Sequence, residues 1–118
     1  FTYANGPVSI GYSQAYRAEL LANNAYQTAT NVDYYDQTNY SIAFAASDDL
    51  SVSYERETSE ANYQTSATTA YDVEMDSVQI AYNVGGATLS LARADVENAS
   101  YTEANDLTET IIAMTFAF

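Results

Sequence analysis

Hydrophobic and polar residues alternate with a period of two over six separate stretches of this chain: residues 8–17, 37–46, 50–57, 73–83, 87–94 and 107–118. Successive side chains of a strand point to opposite faces, so each stretch predicts a β-strand with one large apolar face and one small or polar face. One parity carries Val8, Ile10, Tyr12 and Tyr16, then Tyr40, Ile42 and Phe44, then Leu50, Val52 and Tyr54. It continues through Val78, Ile80, Tyr82, Leu89 and Leu91 to Ile112, Met114, Phe116 and Phe118. The other parity carries Ser9, Gly11, Ser13, Ser41, Ala43, Ser51, Ser53, Glu55, Ser77, Gln79, Thr88, Ser90, Glu109 and Thr115. Residues 1–4 read as the tail of a further strand.

The connections sort into two kinds. Asn5-Gly6-Pro7, Ser47-Asp48-Asp49 and Val84-Gly85-Gly86 are tight-turn signals, in which Gly tolerates positive φ and Pro cannot donate to a ladder. Residues 19–35, 58–71 and 95–106 lack a period, are rich in polar residues and read as long loops, the first with a helical turn at 18–22. Short and long connections strictly alternate, which places all short turns at one end of the sheet and all long loops at the other. Aromatic residues sort the same way. Tyr3, Phe44, Tyr82, Phe116 and Phe118 lie close to the short turns, and Tyr16, Tyr40 and Tyr54 lie toward the long loops.

Composition narrows the picture. The chain has 118 residues, with 16 acidic residues against three Arg and no Lys, and a net charge of -13 argues against nucleic acid or an anionic surface as an electrostatic partner. Twelve Tyr and a single Pro argue for a structured β protein despite that charge. No apolar run approaches the roughly 18–20 residues of a membrane-spanning helix, so a chain of this kind would cross a bilayer as strands. Because it opens on Phe1-Thr2-Tyr3-Ala4, the tail of a strand already under way, with no starting Met, it is expected to be a fragment whose N-terminal part is missing.

The last stretch, Leu107-Thr-Glu-Thr-Ile-Ile-Ala-Met-Thr-Phe-Ala-Phe118, sets Ile112, Met114, Phe116 and Phe118 on one parity and ends on an aromatic residue. It resembles the C-terminal signature strand of Gram-negative outer-membrane β-barrels, which the barrel-assembly machinery reads. The chain as a whole resembles general porins of the marine and photosynthetic α-proteobacterial type, through its order of strands and loops. That resemblance implies an all-β fold, an antiparallel transmembrane β-barrel of sixteen strands, with residues 1–118 as the C-terminal portion of that single β-barrel domain, supplying six full strands and a remnant. It also implies a homotrimer in the outer membrane, in contact with lipid and lipopolysaccharide, that passes small hydrophilic solutes. Short turns in such barrels are periplasmic and long loops extracellular, and the alternation of loop lengths agrees with that assignment throughout.

The side-chain chemistry is not enzymatic. There is no His, Cys or Lys, so imidazole bases, thiol nucleophiles and Ser/Lys schemes are all excluded, and no phosphate-binding Gly pattern is present. The small polar parity, Ser9, Ser13, Ser41, Ser51, Ser53, Ser77, Gln79, Thr88, Ser90 and Thr115, suits a water-filled passage better than a packed core. With Glu55, Glu57 and Glu109 on it and Arg17 toward the long loops, it predicts a mildly cation-favouring pore. On the apolar parity, beyond the hydrophobic residues, lie Arg56, Arg93, Asp95 and the ladder Asp72, Glu74 and Asp76. Arg56 and Arg93 are candidates for lipid phosphate, and the ladder for shared Ca²⁺ or Mg²⁺, with a plain solvated acidic rim as the alternative. Asn39-Tyr40-Ser41 and Asn98-Ala99-Ser100 match a glycosylation pattern that a bacterial setting discounts. A secreted β-rich adhesin or fibre subunit, or an autotransporter-type barrel anchor, would share much of this pattern. The adhesin would have to cover its apolar face with a second layer.

Overall fold

The alternating stretches pair into one antiparallel sheet. A computed structural model of the chain describes residues 1–18, 32–63 and 69–117. The strands are β1 (Thr2–Asn5), β2 (Val8–Ala18), β3 (Val32–Ala45), β4 (Leu50–Tyr63), β5 (Val73–Val84), β6 (Ala87–Glu97) and β7 (Leu107–Phe116), in an open sheet whose spatial order is the order of the chain. The protein is therefore all-β, a seven-stranded antiparallel meander, and its one helical element among the described residues is a 3-10 turn, Ala99–Tyr101.

Turn chemistry fixes the hairpins. Asn5 pairs with Val8 across Gly6-Pro7, with φ 59 at Gly6, a position that Gly occupies without steric cost. Val84 pairs with Ala87 across Gly85-Gly86, and positive φ at both glycines, 52 and 86, matches the twist of the flanking strands. Between β3 and β4 the Ser47 hydroxyl accepts from the backbone N–H of Asp49 (3.3 Å) and Leu50 (3.1 Å), which closes that turn without glycine.

Strand boundaries depart most from the sequence expectation at the long-loop end. Residues 32–35, 58–63 and 95–97 were expected in loops and are strand. These segments carry polar residues on both faces, so no hydrophobic period marks them. The ladder sustains them instead, as in the pairs Asp36–Glu60, Thr58–Glu74 and Glu74–Glu97. The third expected loop also contains the 3-10 turn. Of the helical turn expected at 18–22, Ala18 belongs to β2 and the remainder lies outside the described residues. The last strand ends at Phe116, two residues short of the expected limit, and Phe118 lies outside the described residues. Pairing continues one step further through the Ala117 N–H to the Gly86 carbonyl at 2.9 Å.

The sheet has almost no core. Among the described residues only Ala61, Ala99, Ser59 and Ser77 are buried. On the apolar face Ile10, Ile42, Phe44, Tyr54, Val78, Tyr82, Leu89, Leu91, Ile112, Met114 and Phe116 are between 38% and 73% exposed. Soluble monomers rarely leave contiguous apolar patches larger than about 300–600 Å². Eleven adjoining large side chains exceed that, and no second layer of the described chain covers them.

Candidate functional site

Directly paired residues of an antiparallel ladder share a face, so the register assembles the polar face row by row. One row runs Ser9, Ala43, Ser53, Gln79, Ala92 and Ile111; the next runs Gly11, Ser41, Glu55, Ser77, Ala94 and Glu109. Toward the short turns follow Ser51, Ala81, Ser90 and Ala113, then Asn83, Thr88 and Thr115. Toward the long loops Ser13 pairs with Asn39, and Asn39 with Glu57. Every residue expected on the polar face is therefore on it, and three shallow recesses open there between Ser9, Gly11, Ser41, Ser51, Ser53 and Gln79. Gly11 sits in close approach to β3, since a Cβ at this position would meet the Ser41 hydroxyl and oblige it to turn aside. Asn39 donates its side-chain amide to the Glu55 carboxylate.

The opposite face carries an apolar band whose margins run obliquely. Val8, Phe44, Val52, Ile80, Leu91 and Ile112 form one continuous row across β2 to β7. Below it Leu50, Tyr82, Leu89 and Met114 form a second row, and Val84, Ala87 and Phe116 a third. The band starts at Val8 in β2, two residues lower at Leu50 in β4, and four residues lower at Val84 in β5 and Ala87 in β6. The upper margin descends in the same direction. It is reached at Tyr12 in β2, Tyr40 in β3, Tyr54 in β4, Val78 in β5, Leu91 in β6 and Ile112 in β7. The drift averages about one residue per strand. With a rise of about 3.4 Å per residue and about 4.8 Å between strands, its tangent is about 0.7, an angle of about 35°.

Above this band lies the charged rim. Arg56 binds Glu74 at 2.6 Å and approaches Asp76 at 3.9 Å, and the Tyr54 hydroxyl donates to Asp76. Arg93 contacts Asp95 through Nε at 3.1 Å, and the Thr108 hydroxyl donates to the same carboxylate at 2.7 Å. Glu74 and Asp76 do share a face, but they are drawn to Arg56 instead of to each other, and Asp72 precedes β5. Among the described residues no three carboxylates gather at metal-ligand spacing. Tyrosines extend the rim over β2 and β3, with ring centroids 5.2 Å apart for Tyr12 and Tyr40 and 4.8 Å for Tyr16 and Tyr34.

One connection folds back over the polar face. The segment from Asn98 to Asp106 holds four non-glycine residues at positive φ, Asn98, Ser100, Tyr101 and Ala104, a conformation that costs energy and persists only where contacts over-determine it. Those contacts are present. Asn98 donates its side-chain amide to the Asp72 carbonyl (3.1 Å) and accepts from the Ala104 N–H (3.1 Å), and its own N–H reaches Asp106 (3.2 Å). Asn105 donates to the Ala99 carbonyl at 2.8 Å. Tyr71 donates to Glu103 at 2.9 Å, and that carboxylate raises the phenol above its ordinary pKa. Tyr101 thereby lies against the Tyr35 ring at 5.4 Å, and its hydroxyl lies 2.7 Å from that of buried Ser59. The sequence expectation missed Tyr35, Gln37, Ser59 and Ala61, although their parity continues the polar face. Both glycosylation-pattern asparagines, Asn39 and Asn98, use their amides in these internal bonds.

Ile112, Met114 and Phe116, the terminal motif within the described residues, stand on the apolar face of β7 and are 73%, 59% and 57% exposed. Comparison with protein-family models, with curated proteins and with solved structures gives no significant match.

Proposed function

We propose that this sheet is part of an outer-membrane β-barrel whose polar face lines a passive diffusion channel for ions and small hydrophilic solutes. The observation that carries the reading is the oblique, uncovered apolar band. A bilayer cuts every strand at the same depth. In a barrel whose strands tilt by about 35–45°, the lipid-facing band must therefore drift along the register by about one residue per strand. A soluble sheet packed on a second layer has no reason to show that drift over six strands. The tight turns step with it and the long loops lie at the other end, as a periplasmic and an extracellular rim require.

The band is short. Val84 to Val78 spans about 20 Å along the strand and about 17 Å along the membrane normal, so the tyrosine rings and the stems of Arg56 and Arg93 complete a zone of about 25 Å. On this reading Arg56 and Arg93 meet lipopolysaccharide phosphate, and Ile112, Met114, Phe116 and Phe118 form the segment read by the barrel-assembly machinery. Backbone groups at the β1 and β7 edges would cost several kcal/mol each in lipid, so further strands must close the barrel. The porin resemblance puts the total at sixteen, in a homotrimer. Glu55, Glu57 and Glu109 line the passage and favour cations mildly.

Reconstitution of the full-length protein in planar bilayers tests the reading. Stepwise ohmic conductance with a zero-current potential of cation sign is expected, and the Glu55→Gln and Glu109→Gln double variant is expected to move that potential toward zero. Absence of any conductance from folded protein would overturn the channel, and anion preference would overturn the selectivity.

A further inference from the structure

The three arginines of this chain are not equivalent. Arg56 and Arg93, on the apolar face, are held by Glu74, Asp76 and Asp95. Arg17, at the loop end of β2 on the polar face, forms no ion pair among the described residues, although the chain holds 16 carboxylates. Arg17 instead borders a recess of about 300 Å³ that Tyr35, Gln37 and Tyr101 also line. Arg17 pairs with Tyr35 in the ladder, and Gln37 follows on the same face of β3. Tyr101 is brought across from the far side of the sheet by the strained, internally bonded segment that follows β6. Nothing in the strand pairing demands that Tyr101 reach Tyr35. A costly backbone conformation is spent on building this corner.

The geometry points to a binding subsite for small aromatic carboxylates, made by Arg17, Tyr35, Gln37 and Tyr101. Arg17 supplies a planar, permanently charged fork that takes a carboxylate through two parallel hydrogen bonds. The Gln37 amide supplies a further donor, and the inclined faces and edges of the two tyrosines offer a wall for a flat apolar body. The surroundings sharpen the selectivity. In a chain of net charge -13, an anion is disfavoured along the polar face except where a local cation offsets the field. Aliphatic monocarboxylates lose the ring contact and neutral aromatics lose the fork, so both bind less. The subsite rests on the channel reading only for its place on a solute's route; its binding chemistry stands without it.

Titration of benzoate into the detergent-solubilised full-length protein, followed by isothermal calorimetry or ligand-observed NMR, tests the subsite separately from conductance. Saturable binding is expected, weaker by tenfold or more in Arg17→Gln and in Tyr101→Ala, and partly retained in Arg17→Lys. Acetate and benzyl alcohol are each expected to bind at least tenfold more weakly than benzoate. Because Arg17 is exposed, its replacement leaves the fold intact, and an unchanged circular dichroism spectrum verifies this. No saturable benzoate binding, or equal binding by wild type and the folded Arg17→Gln protein, overturns the subsite. Binding without conductance would leave the subsite standing and remove the channel.

Discussion

Arg56 shows how single residues close the top of the apolar band. Its guanidinium lies between Glu74 and Asp76, two like charges that face the same side of β5. The side chains are 42%, 33% and 36% exposed, so solvent screening keeps the contribution of the pair small. Arg56→Ala is therefore expected to lower the urea midpoint slightly, and Arg56→Ala with Glu74→Gln to lower it less than the single change, since the unshared repulsion is then removed. Tyr71 provides a pH-dependent counterpart at the loop end. Because Glu103 raises its folded-state pKa, the contact stabilises the fold fully below the ordinary tyrosine range and is lost as pH rises through the raised value. A spin label at residue 102 is expected to gain mobility only under alkaline conditions, and Tyr71→Phe to abolish that transition. Neither arrangement was legible beforehand. The sequence placed Arg56, Glu74 and Asp76 on one parity, but whether the carboxylates turn to metal or to arginine depends on the register between β4 and β5.

At the scale of elements, the strand core was legible because a sheet with one apolar and one polar face writes a period of two. The tips were not, because residues such as Asp36, Thr58, Glu60 and Glu74 are polar on both sides of the ladder. The segment over the polar face was hidden for a different reason. Positive φ at Asn98, Ser100, Tyr101 and Ala104 is held by hydrogen bonds within the segment and to Asp72 just before β5, and no Gly announces it. A contrast between neighbours in β6 follows from the two faces. Leu89→Arg, in the middle of the apolar band, is expected to cost about 2–4 kcal/mol when the full-length protein is folded into lipid vesicles and unfolded with urea. Ser90→Arg, one residue away on the polar face, is expected to cost less than about 1 kcal/mol.

For the molecule as a whole, the open seven-stranded sheet and its order agree with the alternating pattern, whereas closure and strand total depend on what pairs with the β1 and β7 edges. In the proposed barrel one face of the sheet meets lipid and the other meets water. Residues 1–118 hold no Cys, so single Cys replacements along β5 meet no competing thiol in this sheet, and the accessibility of spin labels on them in lipid vesicles reads each face directly. Labels at 78, 80 and 82 of the full-length protein are predicted to collide with oxygen and to be shielded from a water-soluble nickel complex, with labels at 77, 79 and 81 showing the reverse. Equal access to the nickel complex at both parities, or shielding from both reagents at 78, 80 and 82, would contradict the account.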